Sequence, residues 1–204
     1  MDTITLYTSA FKHLKKDDVM SFLIDVFEHD INLRDRYDSN YSKAISLLII
    51  EQQVSFKAAI TIKKRFENLI KNYSNRGVYE LNTPEIKSIG ISERKAEYIK
   101  NTYHFFLTNN IDFTLMDDQS VISTLCEIKG IGEWTSQMFL MFVLFRADIF
   151  APKDLALINS IKKNYLISDL KKINQLQLKW APYRSIASSL LWKSIETNTF
   201  YIKS

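Results

Sequence analysis

VISTLCEIKGIGEWTSQMFLMFVLFRADIFAPKDLALINSIKKNY, residues 121–165, is the stretch from which the fold can be read. Val121, Ile122, Leu125 and Ile128 recur at helical spacing behind the potential caps Asp117 and Asp118. The turn Lys129-Gly130-Ile131-Gly132 interrupts that pattern, and a second, largely apolar helix is predicted from about Trp134 to Phe145. Phe150-Ala151-Pro152-Lys153 makes another break. Asp154 then stands before the next apolar-periodic segment, Leu155-Ala156-Leu157-Ile158.

A helix, a Gly-x-Gly turn and a helix form a hairpin whose backbone amides point outward. Gly130 and Gly132 can both take φ > 0, and neither has a Cβ to obstruct a close ligand. Outward amides and a helix N-terminus suit a phosphate, directly or through a bound cation. Tight interhelical turns also use glycine for packing alone, so the turn by itself does not choose between the two uses. Asp154 is expected to cap the helix that follows it. A carboxylate at a helix N-terminus feels the positive end of the dipole and should stay ionised at neutral pH. Capping alone would account for an isolated Asp at this place. Beside a DNA-gripping hairpin, the same group would oppose positive charge developing on a deoxyribose ring.

On these residues the chain resembles the helix-hairpin-helix DNA glycosylases of base excision repair, the HhH-GPD superfamily, and within it the DNA-3-methyladenine glycosylase II branch. The resemblance rests on GIGEWTSQMF at Gly130–Phe139 and FAPKDLAL at Phe150–Leu157. LLIIEQQVSFKAAITI at Leu47–Ile62 and KWAPYRSIASSLLW at Lys179–Trp192 extend it. In this order the motifs are far more specific together than singly, and the likeness covers nearly everything after about Lys12.

Composition agrees with a helical DNA-binding protein without requiring one. Hydrophobic residues make up 46% of the 204, too many for a disordered chain, and 4 Gly with 3 Pro suit long helices over a turn-rich β architecture. A formal charge of +4 permits nucleic-acid binding. Cys126 is the only cysteine, which excludes an intramolecular disulfide and a four-cysteine iron–sulfur cluster. It is expected to pack in the core of its helix. His13, His29 and His104 lack the spacing of a zinc site. The N-terminus does not read as a signal peptide, and the greasiest run, Met138 to Phe145, is too short for a bilayer, which needs about 20 residues.

Elsewhere, Asp17 to Asp30 reads as a helix with Val19, Phe22, Leu23, Val26 and Phe27 on one face, followed by a polar loop from Asn32 to Asn40. Tyr41 to about Glu51 is a strongly apolar segment, Ile45 through Ile50, expected to cross the core. Ser55 can cap a helix over Phe56–Tyr73, Pro84 opens a short helix ended by Gly90, and Ser92 caps Glu93 to Leu107. On that last helix Arg94, Lys95 and Lys100 read as a solvated face. After about Tyr165 a polar stretch runs to Lys179, and a final helix to about Glu196 carries Arg184, expected to pair with a carboxylate. Trp180 reads as core; Trp192 reads as core or pocket. No long alternating β-branched runs occur.

The expected fold is all-α, two helical lobes with a cleft between them. Lobe one would hold about 1–40 and 155–204, and lobe two about 41–154 with the hairpin at 129–134. The chain resembles the compact members, without the N-terminal β domain of larger ones.

The resemblance implies a DNA N-glycosylase that flips a damaged base out of double-stranded DNA and hydrolyses its bond to the sugar. Asp154 would be the catalytic residue. Gln53 would plug the gap left by the flipped base, a departure from the apolar wedge of some members. Lys129, Gly130, Ile131, Gly132 and Lys153 would hold the backbone. Trp134, Met138 and Trp192 would line the base pocket, with the aromatic faces of Trp134 and Trp192 favouring cationic alkylated purines such as 3-methyladenine and 7-methylguanine by about 0.5–2 kcal/mol. Trp134 occupies the place where strand-cutting members carry a Schiff-base lysine, so the resemblance implies a monofunctional enzyme. No cofactor is expected, and no metal from side chains, apart from a monovalent cation at the hairpin backbone. The protein would act as a monomer, away from membranes, in the bacterial cytoplasm at the nucleoid or in a eukaryotic nucleus. The alternatives are a glycosylase for oxidised or deaminated bases, a non-catalytic helix-hairpin-helix DNA-binding module, and a helical protein-interaction domain.

Overall fold

Asp17, Asn40, Ser55, Ser74, Asn82, Ser92, Asp117, Asp154 and Asp169 each accept a hydrogen bond from a backbone amide two or three residues on. These caps satisfy first-turn donors that a helix cannot satisfy itself, at about 1 kcal/mol each. The computed structural model describes residues 3–202, apart from the side chains of residues 3, 4, 35, 36 and 56. Among the described residues every regular element is helical. The helices are α1 (Thr3–Leu14), α2 (Asp18–Phe27), α3 (Tyr41–Glu51), α4 (Phe56–Ile70), α5 (Asn75–Glu80) and α6 (Thr83–Lys87). They continue with α7 (Glu93–Thr108), α8 (Asp118–Cys126), α9 (Glu133–Phe142), α10 (Leu155–Tyr165), α11 (Leu170–Leu176) and α12 (Arg184–Thr197). No helix among the described residues is long and apolar enough to cross a membrane.

The chain divides into two compact units, Met1–Asp35 with Phe145–Ser204, and Arg36–Leu144. The second crossing falls earlier than the expected 154, because the segment after Phe145 is hydrogen-bonded to the start of α12.

In the unit from Arg36 to Leu144, α3 packs against α4, α7 and α9, while α5 and α6 lean on α7 and α8 on α9. Tyr41, Phe113 and Phe139 meet edge to face at 5.3–5.8 Å between ring centroids. Ile45, Ile49 and Ile99 are fully buried, worth about 1.5–3 kcal/mol apiece. In the other unit, α12 packs against α1, α2 and α10. Leu23, Ile161 and Leu190 are fully buried there, and Trp180 sits in the core with its ring against Phe150 and Tyr165.

Several expectations change. The first helix, α1, precedes the predicted ones, and α11 lies inside the segment read as a polar stretch. A 3-10 turn, Leu33–Arg36, occupies part of the expected loop. Cys126 is exposed, because Val121, Leu125 and Ile128 take the buried stripe of α8 and the next turn, and Cys126, one residue past Leu125, lies at the edge of that stripe with Sγ 3.7 Å from Ser136 Oγ. Lys95 is no solvated charge. Its Nζ donates to the carbonyls of Ile50 at 2.9 Å and Gln52 at 2.6 Å, closing the C-terminus of α3. Burial pushes its ammonium below the ordinary lysine value.

The two hairpin glycines are also unlike. Gly130 has φ +105, and a Cβ there would run into the Tyr98 ring. Gly132 is extended, φ −116, with open space where a Cβ would point. Left-handed geometry is therefore required at one of them only. Gly130→Ala should lose about 2–4 kcal/mol from strain and overpacking together, and Gly132→Ala should stay within about 0.5–1 kcal/mol of wild type. Urea titration of both variants measures the difference.

Candidate active site

Asp154 sits at the end of a strap running from Phe145, and the N-terminus of α12 grips that strap. Arg184 donates from Nε to Asp148 Oδ1 at 2.7 Å and from Nη2 to Oδ2 at 2.9 Å, a two-pronged pair that fixes direction as well as distance. The guanidinium also reaches Gln177 Oε1 at 3.1 Å. Next to it, the Ser185 amide donates to Ala147 O at 2.9 Å, while its hydroxyl donates to Arg146 O at 2.6 Å and accepts from the Ile149 amide at 3.0 Å. Arg184 thus finds the carboxylate partner expected of it.

Farther along, the Asp154 amide donates to Ala151 O at 3.1 Å, closing the turn through Pro152 and Lys153. Asp154 Oδ1 accepts from the Leu157 amide at 2.7 Å, the predicted cap. The same oxygen accepts from the Trp192 indole Nε1 at 3.1 Å. Trp192 lies on α12 and Asp154 starts α10, and buried polar bonds hold these helices in register. Ser160 Oγ donates to Leu191 O at 2.6 Å, and Asn164 Nδ2 donates to Ser194 Oγ at 2.8 Å. The two sequence options for Trp192, core or pocket, miss what the ring does first, which is to hold the acid through its N–H. Asp154 and Trp192 are half-buried; Lys153 beside them is exposed.

The hairpin belongs to the other unit. α8 and α9 flank the turn, and Gly132 is the N-cap of α9, bringing no capping side chain to its first-turn amides. Ser136 secures this end by donating from its amide and hydroxyl to Gly132 O at 3.1 and 3.2 Å. Ile131 departs from expectation. Its side chain is buried and its amide donates to Ile128 O at 2.9 Å, so it has no outward donor to offer. Lys129 and Gly132 are exposed. Trp134, in the first turn of α9, is half-buried, whereas Met138 one turn on is 1% exposed and lies in the core. Every residue of α9 from Thr135 to Phe142 is buried, and Met138 among them presents almost no surface.

Gln53 is exposed on the loop between α3 and α4, with φ 55. Its neighbour Gln52, which sequence reasoning passed over, ties this loop to the hairpin. Gln52 Nε2 donates to Thr135 Oγ1 at 2.9 Å and Gly130 O at 3.3 Å. Asn101 Nδ2 holds the adjoining carbonyl of Lys129 at 3.3 Å. A polar residue ending an apolar helix was the only signal, and it fits an ordinary interhelical turn equally well.

Residues 47–182, more than half of the chain, match the family described as HhH-GPD superfamily base excision DNA repair protein. The Bacillus subtilis protein YfjP, which carries the provisional name of a DNA-3-methyladenine glycosylase, is 33% identical over 164 residues. That alignment takes in 72% of this chain and 56% of the relative, so the chain spans little more than half of that protein's length. Among solved structures, a DNA-3-methyladenine glycosidase from Bacillus halodurans is 31% identical, with TM-score 0.70 over 93% of this chain and 90% of that one. The Schizosaccharomyces pombe 3-methyladenine DNA glycosylase in complex with abasic DNA has the same fold, at TM-score 0.83 and 24% identity over 96% of this chain and 100% of that one. With its matching segment and a helical fold that contains this hairpin, the chain belongs to the HhH-GPD superfamily of base excision DNA repair proteins.

Proposed function

We propose that the chain is a monofunctional DNA N-glycosylase that removes alkylated purines of the 3-methyladenine and 7-methylguanine type from double-stranded DNA. The observation that carries this reading is the fixing of Asp154, whose Oδ1 takes both the Leu157 amide and the Trp192 indole N–H. A side chain that only capped a helix would need the first of these donors alone. Relatives at 31–33% identity that are named for 3-methyladenine support the substrate class.

In this reading the damaged nucleotide leaves the stack, since no side chain reaches its glycosidic carbon inside a duplex. The glycosidic bond breaks with its electron pair going to the base. An alkylated purine carries positive charge beforehand and departs neutral. The sugar becomes oxocarbenium-like, and the Asp154 carboxylate opposes that charge and accepts a hydrogen bond from the incoming water. Water then bonds to the sugar carbon and releases its proton. Trp134 in one unit and Trp192 in the other each carry an indole face of the kind that stacks on a cationic base. Trp134 supplies no amine for a Schiff base, so the strand is left uncut.

Gly132 and the first turn of α9, with Lys129 and Lys153, would bind phosphates, and Gln53 would fill the vacated space. A monovalent cation fits this reading too. The carbonyls of Ile128, Lys129 and Gly130 accept hydrogen bonds from Ile131, Asn101 and Gln52, and each oxygen has a second lone pair suited to a hard cation. The protein would work as a monomer wherever its host keeps DNA.

Incubation of the purified protein with methylated DNA, followed by chromatography of the released bases, tests the activity. Free 3-methyladenine or 7-methylguanine is the expected product. Asp154→Asn should keep DNA binding and lose about 100-fold or more in base release, and borohydride should trap no covalent protein–DNA adduct. Release confined to oxidised or deaminated bases would replace the substrate assignment. Trp192→Phe keeps an aromatic face but removes the donor to Asp154. It should lower the single-turnover rate about tenfold with a much smaller change in affinity for abasic DNA, because the lost interaction serves the charged transition state.

A further inference from the structure

Gln53 has a backbone conformation that L-residues other than Asn and Asp seldom hold, φ 55, at an exposed site. Such a residue persists only where its surroundings over-determine it. The bonds on its N-terminal side do so. The Gln52 amide donates to Ile49 O at 3.2 Å, and the Gln52 carbonyl accepts from Lys95 Nζ at 2.6 Å. The Gln52 side chain is spent on Thr135 Oγ1 and Gly130 O, at opposite ends of the hairpin turn. On the C-terminal side, Ser55 Oγ accepts from the Ala58 amide and anchors α4.

The other ends of these contacts converge on one helix. Lys95, Tyr98 and Asn101 recur every three residues on one face of α7. Lys95 holds the loop carbonyls of Ile50 and Gln52, Tyr98 packs where a Cβ at Gly130 would stand, and Asn101 holds Lys129 O. Arg94 steadies this face by donating from Nε to Tyr98 Oη at 2.6 Å. The loop bearing Gln53 and the turn bearing Gly130 are therefore bonded to a common support and, through Gln52, to each other.

We propose that Gln52 is a positioning residue that locks the Gln53 loop to the Gly130 turn, with α7 as their shared backing, so that the wedge and the phosphate grip meet DNA already assembled. The inference rests on the glycosylase reading above and adds to it how the extruding element is held. A loop fixed beforehand loses no ordering entropy on binding. Its benefit should appear where a paired base has to be unstacked and shrink where the base is already free, since extrusion costs least for an unpaired nucleotide.

The test compares single-turnover release of 7-methylguanine from a paired duplex and from the same strand left single. Gln52→Ala should lose about tenfold on the duplex, a typical effect of cutting coupled contacts, and less than about threefold on the single strand. Thr135→Val should lose less, since the Gln52 bond to Gly130 O remains, and adding it to Gln52→Ala should cost almost nothing further, because the bond it removes is already gone. Thermal unfolding of each variant establishes that it is folded at the assay temperature. Equal losses on both substrates, or none on either, overturn the inference while wild-type activity keeps the glycosylase reading standing. A wild-type protein that releases no methylated base from either substrate overturns that reading, and the inference with it.

Discussion

There is no room for a β-carbon between the Gly130 backbone and the Tyr98 ring, and the arrangement of the hairpin unit depends on that close approach. An aromatic ring laid on bare backbone fixes the turn against α7 without a polar contact that water could replace. Once the turn is fixed, the carbonyls of Lys129 and Gly130 come within reach of Asn101 and Gln52. A flexible surface loop and a helix terminus are thereby made into rigid parts. The constraint is steric at its origin and electrostatic in its results.

The unit holding Asp154 reaches rigidity by other means. Its strap has no glycine, and its shape is imposed from outside. Arg184 and Ser185 seize Asp148 and the backbone from Arg146 to Ile149. Farther down the same helix, Trp192 seizes the acid itself. Ser160, Asn164 and Ser194 form a polar seam in the core, each hydrogen-bonded, which sets the register between α10 and α12. A slip by one turn would move the indole by about 5.4 Å and separate it from the carboxylate.

Much of this was legible in the sequence, and the reasons for the misses are specific. Asp117, Ser55, Ser92 and Asp154 were readable as caps because a short acceptor before an apolar-periodic run has few other uses. The helical class followed from periodicity, and the hairpin from its paired glycines. The helix α11 was missed because LKKINQL is short, and only Ile173 and Leu176 are buried in it. Lys95 and Gln52 were invisible for a deeper reason. Each acts on a backbone carbonyl, and a carbonyl leaves no mark in the sequence. Met138 is the opposite case, where correspondence to a position in relatives said nothing about how deeply this side chain would be buried.

The family match ends at residue 182, and α12 begins at Arg184. The helix that grips the Asp154 strap at one end and the carboxylate at the other thus lies wholly beyond the matched region. A fragment trimmed to the matched boundaries would retain the hairpin, the Gln53 loop and Asp154. It would have lost the splint that sets the acid in place. An expression boundary drawn from the family match would discard the contacts that hold Asp154 and its strap.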